Sequence, residues 1–347
     1  MLRAKATRGF GVKELAVCLV ACTMMGQTMG GRVQGATKSN QSAQGSTTKT
    51  TRLELRAPAP TQPGQAIRLT LAPTEMTDGD ARLLYEEIAK SLPSKPDMTT
   101  VSNLVAKPLD ELPLADAESL LQGFAPVLEQ LHRAAKYRSC EWPWVEAESM
   151  SPNLDQWRYL SFLLGLETRR QLAHGQQAAA LETLRTGFAL AGHLAHGPTS
   201  MYGLVAVAVA ARTCRDVELF MQQPGAPSLL AGLEAIPRPF INLEEQMKSE
   251  GVDEDVHQRI DLLTGRLDRH LASLRCIEAL RLYAARHDNL FPETLGQITD
   301  VTIPTDPLTG HPFVYRREGD KAFLEAPAPP GGNARDALQY ELSLKRN

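Results

Sequence analysis

Residues 157–196, WRYLSFLLGLETRRQLAHGQQAAALETLRTGFALAGHLAH, decide the fold. In the first half Tyr159, Phe162, Leu163 and Leu166 recur at three- and four-residue steps, with Arg170 and His174 on the turns that follow. This is the period of an amphipathic helix. Leu181, Leu184, Phe188 and Leu190 repeat the pattern in the second half. Between the two stands Gly175, a residue that tolerates the positive φ with which helices commonly end. Two arms joined in this way predict a helical hairpin, and its apolar stripes require other helices to cover them.

The flanks supply those helices. Upstream, Thr77 or Asp78 is a good N-cap for ARLLYEEIAKSL, and Asp116 opens AESLLQGFAPVLEQLHRAAKYR with a kink expected at Pro126. Downstream, Pro198 starts TSMYGLVAVAVAARTCRDVELFMQQ, apolar nearly all round from Leu204 to Ala211. Arg212 and Arg215 interrupt that run too early for a membrane span, so it reads as a core helix. PSLLAGLEAI is a short helix, and Asp253-Glu254-Asp255 place negative charge at the start of a long one reaching about Arg286. Ile260, Leu263, Leu267, Leu271, Leu274, Ile277, Leu280 and Tyr283 form its stripe.

After that helix the composition changes. PFVYRR and KAFLEA alternate around Glu318-Gly319-Asp320, a hairpin signal, and ALQYELSL offers a third strand. The expected fold class is therefore mainly α: a helical-hairpin array with a small C-terminal antiparallel β appendage. The expected organisation is a leader over 1–30, a flexible linker over 31–75, a helical domain over 76–252, and a long helix with a β unit over 253–347. Within the linker, KSNQSAQGSTTKTT has no apolar period. RLELRA and AIRLTLA are balanced between short strands and extended chain, because PAPTQPGQ lies between them.

Composition narrows the function classes. The 347 residues are 43% hydrophobic and 22% charged, which fits a globular chain. A net charge of -3 and an aromatic content of 5% give no footing for nucleic-acid binding. At the N-terminus Arg3, Lys5, Arg8 and Lys13 precede an apolar run from Leu15 to Met25, the layout of an export signal. Leu19-Val20-Ala21-Cys22 has the form of a lipobox, making Cys22 a candidate for lipidation and a membrane anchor. Conventional cleavage beyond Gly26 and prepilin-type cleavage between Gly9 and Phe10 are the other processing routes. The expected location is exported, periplasmic or membrane-anchored facing the periplasm. Cys140, Cys214 and Cys276 lack the spacing of a zinc site and read as buried small hydrophobes.

No phosphate loop, serine elbow or dinucleotide glycine pattern is present in the sequence. His193-x-x-His196 lacks zincin spacing, and both rings are expected to meet the last carbonyls of their helix. No metal or cofactor is called for. Trp142 and Trp144 stand among Glu141, Glu146 and Glu148, a group that can bind sugar, work as an acid/base pair, or plug the hairpin's open side. Arg169 and Arg170 can meet an acidic partner or pair with Glu167 or Glu182. Trp142, Trp144, Arg169 and Arg170 are the binding-surface candidates.

Three resemblances add to this. The hairpin, with Ala178-Ala179-Ala180-Leu181 after Gly175, resembles one tetratricopeptide-type repeat. The span from about Leu121 to Gly251, above all LETRRQLAHGQQAAALETLRTGFALAGHLAHGPTSMYGLVAVAV, is similar to a family of exported bacterial proteins of unknown function. That resemblance implies a helical extracytoplasmic domain and no reaction. CIEALRLYAARHDNLFPETLGQI with Asp306, Pro307, Gly310, Pro312 and Tyr315 resembles the end of a type II secretion pseudopilin. Where that family has an acidic calcium loop, this chain has APAPPGGNARDALQY with Asp336 as its carboxylate. The function expected is a non-enzymatic binding or scaffolding module with a protein partner in the envelope. The alternatives are a pseudopilin-related assembly component, and a glycan or peptide hydrolase using the Glu141 to Glu148 loop.

Overall fold

The computed structural model describes residues 49–59, 66–143 and 154–345. The described chain is mainly helical. Strands β1 (Thr50–Arg56) and β2 (Thr77–Asp80) precede α1 (Arg82–Ser91), α2 (Met98–Val105), α3 (Leu114–Gly123) and α4 (Ala125–Ala134). Strand β3 (Tyr137–Ser139) leads to α5 (Leu154–Ala173), α6 (Gln177–Ala195), α7 (Ser200–Met221), α8 (Leu230–Glu234), α9 (Glu244–Glu250) and α10 (Glu254–Arg286). The chain ends in β4 (Val314–Glu318), β5 (Lys321–Ala326) and β6 (Leu338–Lys345). No described helix is long and apolar enough to cross a membrane.

Two compact units emerge. One holds Arg68–Val217 and Ala235–Asp268, and the other holds Glu218–Glu234, Arg269–Asn347 and the described residues up to 67. The division falls inside α7 and α10, whereas the sequence suggested a boundary at the start of α10.

In the first unit α5 and α6 form the hairpin, turning at Gly175 with φ +69°. The helix expected from Asp116 is broken at Phe124 into α3 and α4, with Pro126 in the first turn of α4 where its missing N–H costs nothing. Its last residues leave the helix for β3, which pairs with β2 in parallel. The N-cap of α1 is Ala81, which has no side-chain oxygen to offer, so the start of the helix differs from expectation. Asp80 rather than Thr77 or Asp78 accepts the Arg82 N–H, at 2.9 Å. The far end of α1 is closed by a buried glutamine of α5, since Gln156 Nε2 donates to the carbonyls of Ala89 and Pro93 at 3.1 and 3.2 Å.

Residues 204–210 of α7 are buried on every side, so this apolar run is core. Glycines let that core close. A Cβ at Gly187 of α6 would lie 2.5 Å from Thr213 Oγ1, and one at Gly165 of α5 would lie 3.0 Å from Arg212 Nε. Bare backbone at these two points lets α7 approach both arms of the hairpin.

In the second unit the sheet has the order β1-β6-β5-β4. Strands β4, β5 and β6 are antiparallel as expected, but β1 joins them in parallel to β6, with Leu53 opposite Leu342. RLELRA is thus a strand of the sheet, while AIRLTLA forms bends rather than a strand. Alternation explains the pairing: Leu53 and Leu55 are buried and their neighbours face water. Arg281 of α10, wholly buried and ion-paired with Glu278, donates its Nε to the Arg56 carbonyl at 2.9 Å and so ties β1 to the helix.

Residues in β4 and on either side of it build a local network in this unit. Asp306 receives Nε and Nη2 of Arg269 at 2.8 and 2.6 Å, Thr309 Oγ1 at 2.7 Å and the Leu308 N–H at 3.1 Å. Gly310 takes φ +70°, and Tyr315 donates to the Pro292 carbonyl at 2.7 Å. Asp336 accepts the Asn333 N–H at 2.7 Å, closing its own turn.

Candidate functional site

An open groove of about 650 Å³ runs along α3, α4 and α5 of the first unit. Its polar wall follows from the sequence in a simple way. Glu118, Gln122, Ala125, Glu129, Arg133 and Lys136 recur every three or four residues, so one face continues through the break between α3 and α4. Leu121 and Leu128, both buried, give the groove an apolar floor. Glu118, Glu129 and Glu167 face Arg133, Lys136 and Arg170 around it, three charges of each sign.

The α5 wall is held rigidly. Arg170 donates Nε and Nη2 to the two oxygens of Glu167, each at 2.8 Å, a bidentate pair that raises the guanidinium's already high pKa. Glu167 also accepts Gln171 Nε2 at 2.8 Å, and the Gln171 carbonyl oxygen receives Thr183 Oγ1 of α6 at 2.9 Å. At one end His174 Nε2 meets Glu118 at 2.8 Å.

His132 has a defined tautomer in the groove. Its Nδ1 lies 2.7 Å from Thr186 Oγ1, whose hydroxyl is committed to the Glu182 carbonyl at 2.9 Å. Nδ1 therefore carries the proton, and the Nε2 lone pair is left for the groove. Burial lowers the His132 pKa, with Glu167 and Glu182 opposing that shift. The shift favours the neutral ring, with Nε2 as its acceptor atom.

The sequence-derived candidates fall in three places. Arg170 lines the groove and pairs with Glu167. Arg169 points elsewhere, giving Nη1 to Asp216 of α7 at 2.6 Å. Trp142 is half-buried: it stacks on Tyr85 with ring centroids 5.7 Å apart and donates Nε1 to the His193 carbonyl at 2.7 Å. Cys22, Trp144, Glu146 and Glu148 lie outside the described residues. Glu141 is exposed, and its N–H bonds to Asp80 at 2.9 Å.

His196 meets a carbonyl of its own helix, that of Gly192, at 2.8 Å as expected. His193 does not. It is buried between Tyr85 and the Tyr137 carbonyl, because its position on α6 faces inward. Cys140, Cys214 and Cys276 are buried, and none of the three is in a disulfide. Among the described residues no group of three or more His, Cys, Asp or Glu side chains is placed to hold a metal ion.

The sequence presents this segment as one helix kinked at Pro126, and a polar helix face reads by default as a solvated one, so the groove is not singled out. The recurrence from Glu118 to Lys136 was the available signal. Compared with protein-family models, curated proteins and solved structures, the chain matches none.

Proposed function

We propose that this chain is an exported, non-enzymatic binding module of the cell envelope that docks a segment of another protein in the groove of α3, α4 and α5. The observation that carries this is the groove's lining: an apolar floor at Leu121 and Leu128 beneath three carboxylates and three cations. A lining of that kind suits a polypeptide with small apolar side chains and charges of both signs. It offers no large single-sign field to a polyanion. The helical hairpin resembling a tetratricopeptide unit supports the same reading, as do the basic residues ahead of the apolar run at Leu15 to Met25 for export.

Site-specific photocrosslinking in cells tests it. A crosslinking side chain at exposed Gln122 or Glu129 should trap a discrete protein partner, and one at exposed Glu87 of α1 should not. Reversing two charges of the wall, R133E with K136E, should abolish the adduct. Equal capture at all three positions, or capture unaffected by the reversal, would reject the groove as the docking site.

A further inference from the structure

Away from the groove, the first unit buries positive charge that its own residues do not balance. Arg212 of α7 is 7% exposed, and its Nε and Nη2 are buried with no hydrogen-bond acceptor. The Oδ1 atom of Asp216 is 3.6 Å from Arg212 Nη2, too long for a hydrogen bond, and that same oxygen already accepts Arg169 Nη1 at 2.6 Å. Arg169 Nε is likewise buried without an acceptor. Two guanidinium groups thus share one carboxylate.

The surroundings hold Arg212 in the interior. The Phe162 ring lies 5.2 Å from its guanidinium carbon, and the bare backbone of Gly165 makes room for Nε. Burial pushes the Arg212 pKa down to about 9, Asp216 acting against the shift and Arg169 and Arg215 adding to it. An apolar side chain of similar length would occupy the same space without any desolvation penalty. Three buried guanidinium nitrogens find no acceptor, and two positive charges stand against the single carboxylate of Asp216.

We infer that Arg169 and Arg212 form a binding site for a small oxyanion, a carboxylate or phosphate group either free or carried on a larger ligand. A guanidinium fork presents parallel N–H groups at the spacing of two oxygens on such an anion. Asp216 Oδ1 lies 2.6 Å from Arg169 Nη1 and 3.6 Å from Arg212 Nη2, which sets the two guanidiniums side by side within reach of a single bridging ligand. Side-chain exposure is 13% for Arg169 and 8% for Arg212, and it lies on atoms other than the acceptor-free nitrogens. A water molecule would satisfy N–H groups there but would leave the charge uncompensated. This site involves none of the groove residues and stands whether or not the groove binds a protein.

Thermal unfolding of the full chain tests the assignment, in sodium chloride, sodium phosphate and sodium acetate at matched ionic strength. Phosphate or acetate should raise Tm saturably, by roughly 2–4 °C at ten times the Kd. Response to one alone assigns the chemical class. R212M should abolish the rise while melting at or above the wild type in chloride, because it removes an uncompensated buried charge. R169M should weaken the response. Identical Tm values in the three salts would overturn the site, as would an undiminished rise in R212M. So would R212M unfolding well below the wild type in chloride, since the guanidinium would then serve the fold without a ligand.

Discussion

The Tyr85 hydroxyl lies 2.8 Å from His193 Nδ1, across 108 residues of chain and inside the first unit's core. On the other side of the ring, Nε2 is 3.1 Å from the Tyr137 carbonyl, which can only accept. The network therefore assigns the proton to Nε2 and makes Tyr85 the donor to Nδ1. With both ring nitrogens used, His193 is a neutral cross-brace joining α1, β3 and α6. Burial holds its pKa down at about 4.

A pH dependence follows. In the unfolded chain this imidazole titrates near 6.5, so between about pH 6.5 and 4 the unfolded state binds more protons than the folded one. Stability is highest above that window and falls as pH drops through it. From pH 7 to 4.5 this one group removes about 2 kcal/mol. Urea unfolding at the two pH values should show the wild type losing that much more than H193Q, in which the remaining titrating groups are unchanged. Equal losses would mean that His193 is not buried neutral.

Trp142 gives a second test, because a binding surface and a structural plug predict different outcomes. Its ring packs on Tyr85, Trp157 and Tyr202, with centroids 5.4 to 5.7 Å away. W142A should destabilise the protein by about 3 kcal/mol, and W142F, which keeps a ring but loses the N–H to the His193 carbonyl, by about 1 kcal/mol. Unfolding midpoints that match the wild type would place the side chain's value in ligand contact.

These residues also show which parts of the molecule could be read from sequence. The α5–α6 hairpin and α10 could be, since an apolar stripe states its own period and Gly175 or an acidic first turn states an end. Strand β1 could not be settled: its partner β6 is 289 residues away, and a parallel pairing leaves no hairpin turn to announce it. His193 and His196 have the same local signature, and only partners from α1 and β3 separate a core imidazole from a terminal one. Arg212 registered only as the charge that ends an apolar run. Its setting depends on Gly165 and Phe162 of another helix, and single-helix periodicity carries nothing about either.

The Arg269–Asp306 pair in the second unit invites a double-mutant cycle. Both side chains are almost fully buried, 2% and 1% exposed. Arg269 and hydrogen bonds from Thr309 and Leu308 keep the Asp306 pKa below its usual range, although burial alone would raise it. R269M strands a carboxylate and D306L strands a guanidinium, so each should cost about 3–5 kcal/mol. The double variant should cost clearly less than the two together, because neither charge remains. Additive losses in denaturant unfolding would show that the pair is not the element holding this turn.

The approach of α6 to α7 at Gly187 is tight enough to test by substitution. Gly187 lies inside α6, where alanine is intrinsically better by about 1 kcal/mol, so an unconstrained helix would gain from G187A. Here the added Cβ would stand 2.5 Å from Thr213 Oγ1 and 3.1 Å from its Cγ2. A clash with the γ atoms of a β-branched, buried side chain cannot be relieved by a simple rotamer change, because either γ position faces the same gap. G187A should therefore lower stability by about 1–3 kcal/mol despite its better propensity. T213A removes both γ atoms, and the hydroxyl it deletes serves only the Val209 carbonyl within its own helix, at 3.0 Å. G187A with T213A should recover most of the loss in urea unfolding. If the loss persists, the contact that excludes a side chain at Gly187 is made by backbone and not by Thr213.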